Sequence, residues 1–430
     1  GIAAAKEIEY GKALGMTIIV TDHHEVPYKE NEAGRRYILP PADAVVDPRQ
    51  EGCEYPFKGL CGAAVAYKLV EALCEANGQD VADLDYLLEN VAIATVADVM
   101  DLTEENRILV KQGLEMLKRT SNLGLRALIQ CIGLEGKKIQ AYHIGFILAP
   151  CLNASGKLDT AKRALALLRA KTEREADMLA GDLKALNESR RDMTDRVVDE
   201  AMAKVERTDI RGDKVLVIYL PDCHESLAGL VAGRVRENYY RPVFVLTDSE
   251  DGVKGSGRSI ESYSMYEELT GCGDLLTKFG GHPMAAGLSL DKENVEKFKR
   301  RLNDQCTLSE EELTEKVVID MELPFAAITE HFIEELEYME PFGKGNTKPV
   351  FAARGVAMQH VKIIGKNKNV AKATAIDAAG NRMEAICFHD AQEFAKQCER
   401  NNGKMSITFY PGINEFRGER QIQIVITHYR

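Results

Sequence analysis

TIIVTDHHEVP, residues 17–27, is a β-branched apolar run that ends in Asp22-His23-His24, followed by an acid and a proline. Thr, Ile and Val favour an extended chain and Pro27 stops it, so the triplet sits at the end of a short buried strand. Upstream, AAAKEIEYGKALG is a helical pattern closed by Gly15. Downstream, PADAVVDP reads as a strand, CGAAVAYKLVEALCEANG as a helix, and DYLLENVAIATVADVM as a helix or strand running into Asp98. Strand-length apolar runs separated by helices predict a parallel sheet covered on both faces. Such sheets place reactive groups just beyond the carboxyl ends of their strands, and Asp22 and Asp98 both fall at such ends.

The chain has 430 residues, too many for one compact core, which predicts two to four domains. With 45% hydrophobic and 28% charged residues it has the composition of a globular protein. No apolar run reaches the length of about 20 residues that crosses a bilayer, and no signal peptide is visible, so the expected location is cytoplasmic. The ten cysteines show no CxxC spacing, which favours reduced, buried thiols over disulfides or a zinc site. A net charge of −12 excludes a nucleic-acid field over the whole surface. An anionic partner therefore needs a local cationic groove or a bound metal.

From about Asp159 to Arg207 the chain is helical, highly charged and free of proline, as expected of long connecting helices or of a surface hairpin of helices. A second α/β unit follows: KVLVIYL and PVFVLTD are strands around the helix HESLAGLVAGRVRENYY, and then come the glycine-rich runs VKGSGRSI and FGGHPMAAG. Beyond EPFGKGNTKPVF, about five strand-like runs with one helix inserted fit an OB-type barrel. The expected fold class is thus α/β, with two α/β lobes joined by long helices, plus a C-terminal OB-type β-barrel. The expected domains are 1–150, 151–212, 213–300 and 301–430.

Three sets of residues carry candidate chemistry. Asp22, His23, His24 and Asp98 offer carboxylate oxygens and imidazole nitrogens, a mixed donor set suited to manganese or magnesium. Neighbouring histidines diverge, so one would bind metal while the other holds a phosphate or assists the leaving group; a capped loop is the competing account. Lys254, Ser256, Arg258 and Ser259, with Gly280, Gly281 and His282, form the second set: glycines let amides approach an anion, and a guanidinium takes two phosphate oxygens at once. Two tight hairpins would explain the glycines equally well. His224 caps a helix or joins this set, and Asn153 and Lys157 in CLNASGKLD face the same cleft or form a surface turn. The third set is the cation-rich Lys344, Lys348, Arg354, His360, Lys362, Lys366, Lys368 and Lys372, interleaved with Phe342 and Phe351. It reads as a single-strand-binding groove with aromatic platforms, or as a solvated hairpin with its phenylalanines in the core.

Taken together, TDHHEVP, IATVADVMDL, APCLNASGKLDTA, HESLAGLVAGRVRENYYRPVFVL, KGSGRSI, FGGHPMAAGLSL, PFGKGNTKPVF and NEFRGERQIQIVI resemble, in order and over essentially the whole chain, the RecJ exonucleases of the DHH phosphoesterase superfamily. The resemblance implies a cleft between a DHH lobe and a DHH-associated lobe, and two Mn²⁺ or Mg²⁺ ions. His23 and Asp98 would be metal ligands, Asp22 would brace the site and His24 would face the scissile phosphate. Ser256, Arg258, Gly280, Gly281 and His282 would grip phosphate from the other lobe.

The implied activity is 5′-to-3′ hydrolysis of single-stranded DNA in recombination and repair, with a helicase and a single-strand-binding protein as candidate partners. Two upstream aspartate motifs of the family are not in the sequence, so this stretch by itself is expected to bind metal poorly and to be inactive. Cys151 and Lys157 stand where many relatives have arginine. The rival readings are a DHH phosphodiesterase for oligonucleotides or cyclic dinucleotides, and a non-catalytic nucleic-acid-binding scaffold.

Overall fold

The computed structural model describes every residue except 32–33, 159–160, 366–367, 389–390, 402 and 417, and the backbone alone at 30–31, 155–158, 416 and 419. The chain forms two units, one made of Gly1–Ala149 with Val318–Arg430 and the other of Pro150–Val317.

In the first unit, α1 (Ala5–Ala13) leads into β1 (Ile19–Thr21), which pairs in parallel with β4 (Ala44–Val46). Between them lies an antiparallel hairpin, β2 (Tyr28–Asn31) and β3 (Gly34–Tyr37). The helices α2 (Gly62–Ala76), α3 (Leu88–Ala97), α4 (Glu104–Leu117) and α5 (Leu123–Cys131) follow. One strand expectation is corrected: Asp98 stands at the C-terminus of α3, not at the end of a strand. The run LENVAIATVA is buried nearly all round, so it lacks the apolar stripe that marks a helix in sequence.

Still in the first unit, α6 (Ala141–His143) leads through a wide π turn at Ile144–Leu148 into α7 (Ala149–Leu158), with which the second unit begins, and α8 (Lys162–Leu168) follows. The connecting region is dominated by one long helix, α9 (Glu173–Arg207). Thr172 caps it by accepting from the Glu175 amide, and Glu173 and Lys204 complement its dipole at opposite ends. The sheet comprises β5 (Leu216–Tyr219), β6 (Val243–Ser249), β7 (Gly252–Arg258), β8 (Leu276–His282) and β9 (Ala285–Leu290), in the spatial order β5-β6-β7-β9-β8. On one face α10 (Glu225–Tyr239) and α9 cover Leu216, Ile218, Val243 and Val245. The other face packs on α11 (Met265–Thr270) and α12 (Val295–Gln305) through Phe244, Leu246, Leu288 and Phe298. The first glycine-rich run forms strand β7, and the second forms the β8–β9 hairpin, which turns at Pro283-Met284.

The remaining chain adds β10 (Met321–Glu322), α13 (Glu330–Glu337), β11 (Phe351–Ile364), β12 (Val370–Ile376), β13 (Arg382–Cys387), α14 (Ala391–Arg400), β14 (Lys404–Phe416) and β15 (Glu419–Tyr429). β11 pairs with both β12 and β14, and β13 pairs in parallel with β15, which closes an OB-type barrel. Phe351 belongs to its core, edge-on or tilted against Phe332 and Phe409, and is not a stacking platform. Phe342 packs edge-on against Tyr410, whose ring carries Lys348 at 4.9 Å. Three members of the cationic set are neutralised locally: Lys344 pairs with Asp101, Arg354 with Glu322 and Lys372 with Glu384. Lys366 lies outside the described residues.

Candidate active site

Asp22 immediately follows β1, and Asp47 immediately follows β4. Because these strands pair side by side and Asp22 N donates to Val46 O, the register brings both carboxylates to the same end of the sheet. The Asp22 carboxylate is saturated: Oδ1 accepts from His23 N (2.7 Å), His24 N (3.2 Å) and His24 Nδ1 (2.7 Å), and Oδ2 accepts from Ile2 N. Burial raises the Asp22 pKa, but these donors outweigh it and hold the group well below the usual carboxylate range. A side chain at Gly1 would collide with the same carboxylate. Asp22 is thus a brace with no oxygen left over.

The brace sorts the two histidines. His24 donates Nδ1–H back to Asp22, leaving its ring 71% exposed with Nε2 outward. His23 turns inward, its Nε2 3.6 Å from Asp98 Oδ2, beside the bare Cα of Gly62 at the start of α2. The rings do not diverge as expected: their centroids lie 4.3 Å apart because His24 folds back on Asp22. Ligand atoms of Asp22, His23 and His24 all fall within 4.8 Å of one another.

Asp98 is held by an unusual helix end. Val99 adopts φ = 55°, a left-handed conformation rare for a β-branched residue, while Met100 N reaches back to Thr95 O. The following loop is clasped by PFGKGN: Leu102 N donates to Lys344 O (2.6 Å) and Lys344 pairs with Asp101 at 3.0 Å. Gly343 and Gly345 lie so close that a Cβ would meet Leu102 at 2.7 Å and Asp101 at 3.0 Å, respectively.

Asp47 was not singled out in the sequence, although VVDP ends a strand just as TIIVTD does. It is 2% exposed; Oδ1 accepts from Arg49 N, and Oδ2 has no hydrogen-bond partner among the described residues. Burial raises its pKa and the charge of Asp22 adds to the effect. An orphaned, buried carboxylate oxygen near a second carboxylate and a half-buried imidazole is a donor set that fits a hard divalent cation.

In the second unit, register places the other candidates. On β7, Val253, Gly255 and Gly257 face the core, where a Cβ on Gly257 would lie 2.4 Å from Met265 Sδ. Lys254, Ser256 and Arg258 therefore face the opposite, α10 side. There Gly229 of α10 makes room for Ser256 and Arg258, at 2.9 and 2.8 Å from where its Cβ would be. Paired across β9, these residues form rows: Arg258–Ala285–His282, Ser256–Gly287–Gly280 and Lys254–Ser289–Lys278. Gly281 needs to be glycine for its φ of 149°, and because its Cβ would strike the backbone at Ala285.

Gly280 and Gly287 have no such reason. A Cβ there would meet nothing closer than 3.9 Å, so their bareness leaves an open floor over which a ligand can reach the sheet. Arg258 borders it, half-buried, with hydrogen bonds to Gly257 O (2.7 Å) and Ser256 Oγ (3.3 Å) and no carboxylate partner among the described residues. Burial, reinforced by Arg236, lowers its pKa. A cation in that position favours an anionic ligand.

Other candidates separate from this group. Ser259 is buried and donates to Tyr263 O at 2.6 Å, so it is a structural hydroxyl on the far side of the strand. His224 is the N-cap of α10, its Nδ1 accepting from Ser226 N. Asn153 is exposed on α7, and the Lys157 side chain lies outside the described residues.

These features define a class: a DHH-type phosphoesterase domain with a DHH-associated sheet and an OB barrel. The DHH family N-terminal domain matches residues 1–95, the DHHA1 domain 212–308 and the RecJ OB domain 319–428. The single-stranded-DNA-specific exonuclease RecJ of Bacillus subtilis is 36% identical over 99% of this chain and 52% of its own length; that of Salmonella typhimurium is 33% identical over 99% and 75%. The crystal structure of RecJ in complex with Mn²⁺ from Thermus thermophilus superposes with a TM-score of 0.81 at 27% identity, over all of this chain and 60% of that one. A Mg²⁺ complex from the same source gives 0.75. The chain belongs to the RecJ family, and it spans about half the length of the Bacillus relative.

Proposed function

We propose that the protein containing this chain is a divalent-cation-dependent exonuclease that hydrolyses single-stranded DNA from its 5′ end, acting in the cytoplasm in recombination and repair, with a helicase and a single-strand-binding protein as partners. The observation that carries the reading is the saturated Asp22 brace, which points His23 at Asp98 and leaves His24 Nε2 outward. Relatives crystallised with Mn²⁺ and Mg²⁺ support the choice of cation. Among the described residues no helix is long and apolar enough to cross a membrane.

His23 and Asp98 would hold the cation, with Asp47 adding negative charge beside them. When bound, Mn²⁺ or Mg²⁺ supplies Lewis-acid stabilisation of phosphoryl oxygens and a more acidic water. His24, its Nδ1–H fixed on Asp22, presents Nε2 to exchange a proton or hydrogen-bond at the scissile phosphate. Within the second unit, Arg258 and Ser256 offer hydrogen bonds to the non-bridging oxygens of a phosphate, and the bare Gly280 and Gly287 let a phosphate approach the sheet.

The full-length gene product should digest 5′-phosphorylated single-stranded DNA with Mn²⁺ and spare duplex. His23→Ala should lower the rate more than about 100-fold and weaken Mn²⁺ binding measured by electron paramagnetic resonance. Equal digestion of both DNA forms, or full activity in the variant, would count against the proposal.

A further inference from the structure

One row of the β7-β9-β8 face is left over from the phosphate grip just described. Lys254, Ser289 and Lys278 lie side by side, one step of the sheet beyond Ser256–Gly287–Gly280. They open onto a cavity of about 550 Å³ whose far wall is the first turn of α10, at Glu225 and Ser226. Lys278 is exposed and has no hydrogen-bond or ion-pair partner among the described residues. Lys254 is held at 2.7 Å by Glu225, an ion pair with both side chains about half exposed. Such a pair is weak and opens readily to a competing anion.

We propose that Lys254, Ser289 and Lys278 form a second phosphate-binding row that takes the next phosphodiester of a single-stranded nucleic acid, adjacent to the one held by Ser256 and Arg258. Three features carry it. The row continues the same face, because residues two apart on a strand point the same way and stand about 6.6–6.8 Å apart, a separation comparable to that of successive phosphates along an extended single strand. The floor between the rows is bare: neither Gly280 nor Gly287 would meet an obstacle with a Cβ, so a sugar-phosphate chain can cross it. The flanking side chains are cationic at both ends, Arg258 on one side and the two lysines on the other. A site for one phosphate has no use for the far row.

This inference rests on the phosphodiesterase reading, and one experiment separates the two. Binding of a short 5′-phosphorylated oligodeoxythymidylate to this chain in EDTA is followed by fluorescence anisotropy as salt is raised. Lys278→Ala should weaken binding severalfold and reduce the slope of log affinity against log salt by about 0.7, one phosphate contact on a single strand. Lys278→Arg should restore most of both, and Ser289→Ala should weaken binding with the slope kept. Lys297→Ala, which removes the same charge from α12 on the opposite face, should change neither. If Arg258→Ala weakens binding while Lys278→Ala does not, the second row is wrong and the phosphate grip stands. If Lys297→Ala matches Lys278→Ala, the effect is net charge and the row is again wrong. If neither Arg258→Ala nor Lys278→Ala alters binding, or the unaltered chain binds without salt dependence, both readings fall.

Discussion

The β7-β9-β8 face and the OB barrel both carry lysine and arginine on their strands, and at several positions they hold them differently. On the barrel, Lys372 sits 2.7 Å from a Glu384 side chain that is only 12% exposed, and Arg354 lies near Glu322. On the sheet, Arg258 is half-buried without an acid and Lys278 stands alone among the described residues, above glycines that no packing demands. A cation held on a nearly buried carboxylate, as Lys372 is on Glu384, contributes little to an incoming phosphate, since the acid must first be displaced, whereas the exposed Lys254–Glu225 pair opens more readily. The difference teaches that cation-rich text marks a nucleic-acid surface only where register leaves the charge unmatched.

The contrast breaks most directly at the arginines. Arg258→Ala is expected to weaken single-stranded DNA binding by about 2–3 kcal/mol, and Arg354→Ala by less than about 0.5 kcal/mol. Equal losses in a titration of both variants would erase the distinction. Next come the glycines of the sheet. Gly257→Ala forces a Cβ into Met265 and Phe244 and should lower unfolding free energy by about 2 kcal/mol, whereas Gly287→Ala should leave it within about 0.5 kcal/mol while weakening DNA binding. Urea midpoints that move together would show that both glycines serve packing alone. The smallest effect concerns the lysines: Lys372→Ala should destabilise by about 1 kcal/mol, because Glu384 has a buried Oε1 with no partner among the described residues and would lose the cation paired with its other oxygen. Lys278→Ala should be neutral in the same thermal melt, and a comparable loss there would reveal a hidden partner.

How far the site could be read in advance depended on the range of the interactions that build it. Asp22, His23 and His24 are bonded within three residues, so their arrangement is written locally. Asp98 was found by its neighbourhood, but its element stayed open between helix and strand and Asp98 was set at a strand end, because a helix buried nearly all round has no period to betray it. Asp47 was missed because nothing near it in sequence says that β4 lies against β1. Ser259 stands next to Arg258 in the same glycine-rich run, but strand alternation turns it to the other face, where it donates to Tyr263 O.

By itself, the sequence determined the order of the domains, the Asp-His-His triplet and the residue types of the proposed phosphate grip. Those follow from local periodicity, from short-range hydrogen bonds and from motifs in order. Only the tertiary structure decided which carboxylate keeps a free oxygen, which cations stay unmatched and which glycines are bare without a packing reason. Each depends on partners distant in the chain, and neither composition nor spacing specifies the register that brings them together.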